Sequence, residues 1–390
     1  MRVSFRLLFV LAFAFPTCQA STSYVVTNND NVLGNSITIY ALDSATGMLV
    51  HRQDVATGGF GEGGGYFATV GASAVIAGTG GCLFAYDTGS SDIAAFTVDL
   101  NTLNVERVGN YNNPSVIAQF PGGSLAVTPN GAFLYATYAR TENIGAWSIN
   151  ADCSLTFIAA YPPTGDGILY SSIKVTPSGQ QLLVSVPNYG FINLYSIDQS
   201  TGTLTALQGA SFWELSECRR DNCFPAGIDI TRDGKVAIFG NYGQPTPSVL
   251  ALAIEPMRLK NPVYFVLPDS AGLSGNATVP FLSNGGYNGA GPIYISISGT
   301  GKGSQPGVVT GKFQETGTLT VTAATPINSA NQYDGLLAAA GRFLIVSEWF
   351  NALQVFIINS DGTITPTSQG PVVNSKANGA YSFFIYPDTR

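Results

Sequence analysis

A hairpin grammar returns three times along this chain, and it limits what the chain can fold into. Gly123 to Tyr138 runs through an apolar stretch, then Thr-Pro-Asn-Gly (128–131), then a second run of β-branched and aromatic residues. Ser172 to Val186 repeats the pattern around Thr-Pro-Ser-Gly (176–179), and Gly227 to Gly240 repeats it around Thr-Arg-Asp-Gly (231–234). Proline presets a turn φ, the glycine accepts a positive φ, and the flanking runs have strand composition, so each copy predicts a tight hairpin.

A third strand of alternating pattern accompanies each hairpin: Asp92–Val98, Asn143–Ile149 and Phe191–Ile197. A short turn and a fourth run follow, as at Thr201–Leu207. A four-stranded meander of about 50 residues is the period of a propeller blade. Innermost strands are expected near Tyr66, Ser124, Ser172, Gly227, Phe281 to Ile295, Gly335 and Tyr381, which gives seven blades. The run at Tyr381 has no partners after it, whereas Tyr24–Asn28 has a second-strand pattern with third and fourth strands behind it at Ser36–Leu42 and Leu49–Gln53. The expected fold is therefore all-β, a seven-bladed β-propeller whose C-terminal strand completes the N-terminal blade. Phe383 and Ile385 then face one neighbouring sheet, and Phe384 and Tyr386 the other.

Arg2 to Arg6, the apolar run Leu7–Phe15 and the small residues before Ala20 read as a signal peptide over 1–20, which implies secretion and one propeller domain over 21–390. No later run of 18 apolar residues predicts membrane insertion. Four cysteines then remain in an oxidising compartment. Cys218 and Cys223 bracket a four-residue loop and are expected to pair. Cys82, at the start of a second strand, and Cys153, in a turn of the next blade, fall on one rim and can bridge adjacent blades. With one histidine and no Cys-x-x-Cys pair, no metal or other cofactor is expected. Only 11% of residues are charged and the net charge is −7, so no basic face for nucleic acid is expected. Asn276-Ala-Thr forms a glycosylation sequon in a Gly/Ser-rich stretch read as a loop. The partner expected is a small-molecule substrate bound by a monomer.

The Thr-Pro-Asn/Ser-Gly hairpins, with Tyr86–Phe96 and Asp198–Leu204 as their continuation, resemble the seven-bladed lactonase-like propellers, which include 6-phosphogluconolactonases and fungal carboxymuconate lactonising enzymes. The likeness covers nearly all of the chain after the leader. Members with lactonising activity use histidine, glutamate and arginine at the channel mouth, but the one histidine here, His51, lies in an outer-strand segment of the first blade. A secreted fungal branch of these propellers closes rings in natural-product pathways, and includes hetero-Diels–Alderases that join a quinone methide to a polyene. Resemblance to that branch implies a cyclase in secondary metabolism. The alternative is a non-catalytic secreted cell-wall glycoprotein, adhesin or glycan-binding propeller on the same scaffold.

In a propeller, the loops from second to third strand and from one blade to the next share a rim, and ligands bind there. Candidate catalytic residues on those loops are Glu348, Lys376, Asp166 and Arg219, for protonating a leaving hydroxyl or polarising a carbonyl. Candidate substrate-binding residues are Trp349, Tyr287, Tyr189, Tyr242, Arg140 and Glu62, a partly dry cup that selects a folded reactive geometry. The blander reading has the asparagines and glycines shaping turns and the aromatics capping blades. Lys174 and Asp229, in one register of consecutive inner strands, are expected to pair across the blades. Gly58 to Gly65 lacks the Gly-Lys-Ser/Thr ending of a phosphate loop, and no Gly-x-Ser-x-Gly with a usable histidine points to a serine hydrolase.

Overall fold

The three hairpins close in one way. In the computed structural model Gly131, Gly179 and Gly234 take φ of 68°, 75° and 73°, a region in which a side chain is strained. Each glycine N–H donates to the carbonyl of Thr128, Thr176 or Thr231 at 2.8 Å. Each threonine hydroxyl accepts from the N–H that opens the next strand, at 3.0 Å from Phe133, 3.1 Å from Gln181 and 3.0 Å from Val236. The structure describes residues 23–63, 75–77, 80–99, 102–115, 123–138, 143–162, 172–218, 223–242, 247–267, 273, 276–282, 292–298, 305–313, 319–327, 337–348, 351–377 and 382–386.

Seven antiparallel sheets result. The first orders as Phe383–Tyr386, Ser23–Asn28, Ser36–Leu42 and Leu49–Ala56, from inside outward. The second to seventh start at Val75–Ala77, Leu125–Val127, Ile173–Val175, Phe224–Ile230, Asn276–Leu282 and Leu337–Ala340. Two expectations are corrected. The sixth blade begins with Asn276–Leu282, and Ile293–Ser298 is its second strand, so Asn276 opens a strand opposite Ser298 and is not in a loop. The Ala-Thr-Val run after it carries the strand pattern back to the sequon. The second blade begins at Val75, whereas Tyr66, like Gly335, Tyr381 and the residues 1–20 read as a signal peptide, lies outside the described residues.

The sheets stack face to face, so middle strands are covered on both sides. Cys82–Asp87 and Phe133–Tyr138 are buried at every position, while the outer strand Leu49–Ala56 is mostly exposed. The core thus lies between blades: Tyr135 and Ile144 of the third pack with Leu182 and Tyr195 of the fourth. Gly145 leaves room for the indole of Trp147, which lies where a Cβ would stand. Lys174 Nζ is 3.1 Å from Asp229 Oδ1, joining the fourth and fifth blades. Cys82 bonds to Cys153 across the second and third blades, and Cys218 bonds to Cys223. His51 is exposed on its outer strand, with Nε2 3.1 Å from Asp54 Oδ1.

Closure follows the expected register. Tyr24, Val25, Val26 and Thr27 face Tyr386, Ile385, Phe384 and Phe383, and Asn28 N–H donates to the Ser382 carbonyl at 2.9 Å. Phe383 and Ile385 enter the core shared with Phe343 and Val355 of the seventh blade. Phe384 turns to the core shared with Leu83 and Phe96 of the second.

Deleting 382–390 strips the innermost strand from one blade, and the expected outcome is aggregated protein on size exclusion; a soluble truncation with an unchanged melting temperature contradicts the closure. In the chain-entropy picture, replacing Cys82 and Cys153 (71 residues apart) with alanine costs about 4 kcal/mol, and replacing Cys218 and Cys223 (5 apart) about 2 kcal/mol. Urea unfolding checks that order.

Candidate functional site

The Thr-Pro-Asn-Gly turns occupy one rim, and the opposite rim carries the loops from second to third strands and between blades. Three such loops converge where the first and second blades meet: 29–35 after Ser23–Asn28, 57–63 after Leu49–Ala56, and the turn from Asp87 to Asp92 between two strands of the second blade. Ser91 takes φ 58° and its N–H donates to the Asp87 carbonyl at 2.7 Å, a tight turn that sets Asp87 and Asp92 opposite each other across the hairpin.

The convergence brings four acids together. Asp87 is fully buried and Asp92 nearly so, at 0% and 8% exposure. Asn110 on the outer strand spans both, with Nδ2 2.8 Å from Asp92 Oδ1 and 3.4 Å from Asp87 Oδ2. Asn35 reaches over from the first blade to give Asp87 Oδ1 a hydrogen bond of 2.7 Å, and gives another of 2.8 Å to Asn28 Oδ1. Gly59 roofs the pair, since a Cβ there would run into Asp87 Oδ2. Beside it, Asp30 (φ 50°) accepts from the Glu62 N–H at 2.9 Å and from the Thr88 hydroxyl. Glu62 itself is half-buried.

Burial, and then the Asp92 carboxyl beside it, push the Asp87 carboxyl well above the usual carboxylate range. Hydrogen bonds from Thr57 and Asn35 oppose the shift without cancelling it. Among the described residues, no ion pair neutralises either member of the pair. Burial and the neighbouring carboxyl both favour the protonated form of Asp87. Behind it, Tyr86 and Tyr138 meet edge to face at 5.6 Å, and burial pushes both phenols up.

An amide network on the other side of the first blade leads to Lys376. Asn374 Nδ2 donates to Asn29 Oδ1 at 2.8 Å, Asn29 Nδ2 to Thr38 Oγ1 at 2.8 Å, and Thr38 Oγ1 to Asp54 Oδ1 at 2.7 Å. Asn31 joins the two sides, giving Nδ2 to the Lys376 carbonyl at 3.1 Å while its own carbonyl accepts from Gly61 N–H at 2.8 Å. Two residues expected at the site, Glu62 and exposed Lys376, therefore flank one loop. Tyr189 is half-buried on the fourth blade. Glu348 and Tyr242 end second strands on the same rim, their backbones alone being described. Asp166, Arg219, Trp349, Tyr287 and Arg140 lie outside the described residues. Sequence reasoning gave no role to Asp87, Asp92, Asn35 or Asn110; the one trace of them as a group is the Asp87…Asp92 spacing across a hairpin. Tyr138, which ends a second strand, is buried against Trp147, their ring centroids 6.5 Å apart.

Residues 90–214 match the family described as Lactonase, 7-bladed beta-propeller. A 6-phosphogluconolactonase of Serratia proteamaculans is 29% identical over 119 residues, which cover 28% of this chain and 35% of that protein. Among solved structures, a protein from Lactobacillus plantarum superposes with a TM-score of 0.71 at 15% identity, over 93% of this chain and 99% of that one. The periplasmic gluconolactonase of Pseudomonas aeruginosa superposes with 0.68 at 16% identity, over the same shares. The chain is a seven-bladed β-propeller that is similar to the lactonase family over residues 90–214. The matched segment contains the acidic hairpin from Asp92 onward and the fourth-blade rim, but not the 29–35 and 57–63 loops that complete the seam.

The folded Asp87 carboxyl holds its proton more tightly than the unfolded one, so its contribution to stability is greatest at low pH and shrinks as pH rises above the ordinary range near about 4. The slope is up to about 1.4 kcal/mol per pH unit for one proton. Asp43, Asp152, Asp198, Asp361 and Glu255 shift the other way, held down by hydrogen bonds from nearby backbone, hydroxyl and lysine groups, so their contribution is lost in acid. Urea unfolding is expected to show a stability maximum at mildly acidic pH and a decline through neutrality that Asp87→Asn flattens. Wild-type stability that rises through neutrality contradicts the protonated Asp87 carboxyl.

Proposed function

We propose that this chain is an enzyme that closes or opens a ring in a small organic molecule, at the rim where the first and second blades meet, with carboxyl groups giving and taking the proton. The observation that carries the reading is the buried Asp87–Asp92 pair, a carboxyl kept protonated beneath the rim of a lactonase-like propeller. A buried acid whose carboxyl is shifted upward without an ion-pair partner is a candidate functional group. Glu62 lies half-buried on the loop above the pair, one of its carboxyl oxygens covered, and is the acid assigned the proton transfer; Lys376 lies one loop away.

In lactone opening, water adds to the carbonyl carbon, the bond from acyl carbon to ring oxygen breaks, and the departing oxygen takes a proton. Closure is the reverse: a hydroxyl adds to the acid carbon and water leaves with the proton. A carboxyl at the Glu62 position serves both directions, giving the proton to the leaving oxygen and taking one from the attacking group, a contribution of about 10²–10⁴ in rate. His51, exposed on an outer strand, has no part in it. The finer reading, drawn from resemblance, is ring closure of the hetero-Diels–Alder type, in which no group leaves and the carboxyl polarises the heteroatom partner while the rim holds the chain folded. The same proposal has the protein secreted after loss of residues 1–20 and glycosylated at Asn276.

Incubation with lactones, with their hydroxy acids, and with a quinone-methide precursor plus a polyene tests the reading. The expected result is product above the buffer level, with Glu62→Gln lowering kcat by at least about 100-fold while the melting temperature holds. Product ratios identical to buffer overturn the proposal, and saturable glycan binding without turnover favours the non-catalytic binder.

A further inference from the structure

The rim of the fourth blade carries an aromatic pair that the acids of the first seam do not use. Tyr189 lies in the turn Pro187–Tyr189 between the second and third strands, and Trp213 in the turn Phe212–Glu214 that leads to the fifth blade. Their ring centroids are 5.9 Å apart with planes tilted by 35°, and both residues are half-buried.

The indole is fixed in place. Gly190, at φ 55°, lies directly against it, and a Cβ there would run into Trp213 Cδ1 and Nε1. Phe212 N–H donates to the Gly190 carbonyl at 2.7 Å and ties the two loops together, while the backbone N–H of Trp213 caps its own turn on Ser211 Oγ at 3.2 Å. The turn divides its side chains between two jobs. Phe212 is fully buried and meets Phe239 edge-on at 5.8 Å, and Leu215 packs on the same core. Trp213 belongs to no buried core cluster among the described residues. Its Nε1 is covered, without an acceptor among those residues. A buried tryptophan N–H normally finds a partner, so phenylalanine or leucine would serve packing better here. What the site offers a ligand is therefore ring faces, since the N–H edge is turned onto Gly190.

We propose that Tyr189 and Trp213 form a stacking platform for one face of a cyclic ligand, with Trp213 favouring flat, apolar rings over polyhydroxylated ones. The proposal rests on the reading of this rim as a place for ring chemistry, and it names the class of ring. Aromatic stacking of this kind changes affinity about twofold to tenfold.

The test uses isothermal titration calorimetry and steady-state kinetics with two probes, dihydrocoumarin and glucono-1,5-lactone. Wild-type protein is expected to show saturable binding of dihydrocoumarin. Trp213→Ala weakens that binding about tenfold and leaves glucono-1,5-lactone within about twofold. Trp213→Phe, which keeps a ring face and discards the N–H, retains most of the binding and the melting temperature. No saturable binding in the wild type overturns the platform, as does equal loss in the Phe and Ala variants, or an equal effect on both probes. Binding that depends on Trp213 without any turnover leaves the platform standing and removes the catalytic reading. Turnover with an unchanged KM in Trp213→Ala does the reverse.

Discussion

Four residues of backbone pairing between Phe383–Tyr386 and the strand Ser23–Asn28 hold this molecule shut. A propeller has no central core, and each sheet is buried only because its neighbours cover both faces. Without the last strand, the first blade loses its innermost ladder, and Phe383 and Phe384 lose the cores they occupy on either side. The order extends from there to the rim. Asn28 donates its N–H to the Ser382 carbonyl and its side-chain Nδ2 to the Tyr86 carbonyl at 2.7 Å, while Asn35 bonds both Asn28 and Asp87. Ring closure thus supports one side of the acid seam, because Asn28 and Asn35 belong to the blade that the C-terminal strand completes, while Asp87, Asp92 and Asn110 belong to the second.

Burying several acids in one place is unfavourable unless they are hydrogen-bonded or lose their charge. Both remedies are present here. Asn35 and Asn110 supply neutral donors from two different blades, and burial favours the protonated Asp87 carboxyl. The same arrangement has a chemical consequence, for a carboxyl that remains protonated near neutrality can donate a proton where ordinary carboxyls cannot. It also makes the fold favour acid, in keeping with a net charge of −7 that grows more repulsive as pH rises.

Much of the fold is legible in the sequence because its signals are local or periodic. The Thr-Pro-Asn-Gly turns, the orphan strand near the C-terminus and the alternation of Phe383 to Ile385 each need only a few residues to be read. The Lys174–Asp229 pair and the Cys82–Cys153 bridge follow once the register of neighbouring blades is known. The innermost strands of the second and sixth blades are harder: one is three residues long beyond a glycine-rich run, and the other begins at a sequon that looks like a loop. The seam is harder still. Asn35, Asp87 and Asn110 are brought together from separate strands by the curvature of the ring, and no spacing records that. Phe212 and Trp213 are adjacent apolar residues in sequence, and only the turn decides which of them enters the core.

The claim that the rim holds a protonated acid is open to direct observation. Infrared spectra of protein carrying carbonyl-labelled aspartate, recorded at neutral pH, report protonated carboxyl groups by a stretching band that carboxylates lack. The structure predicts such a band from one buried aspartic acid, and its disappearance in Asp87→Asn. A neutral-pH spectrum with carboxylate bands alone would contradict the account.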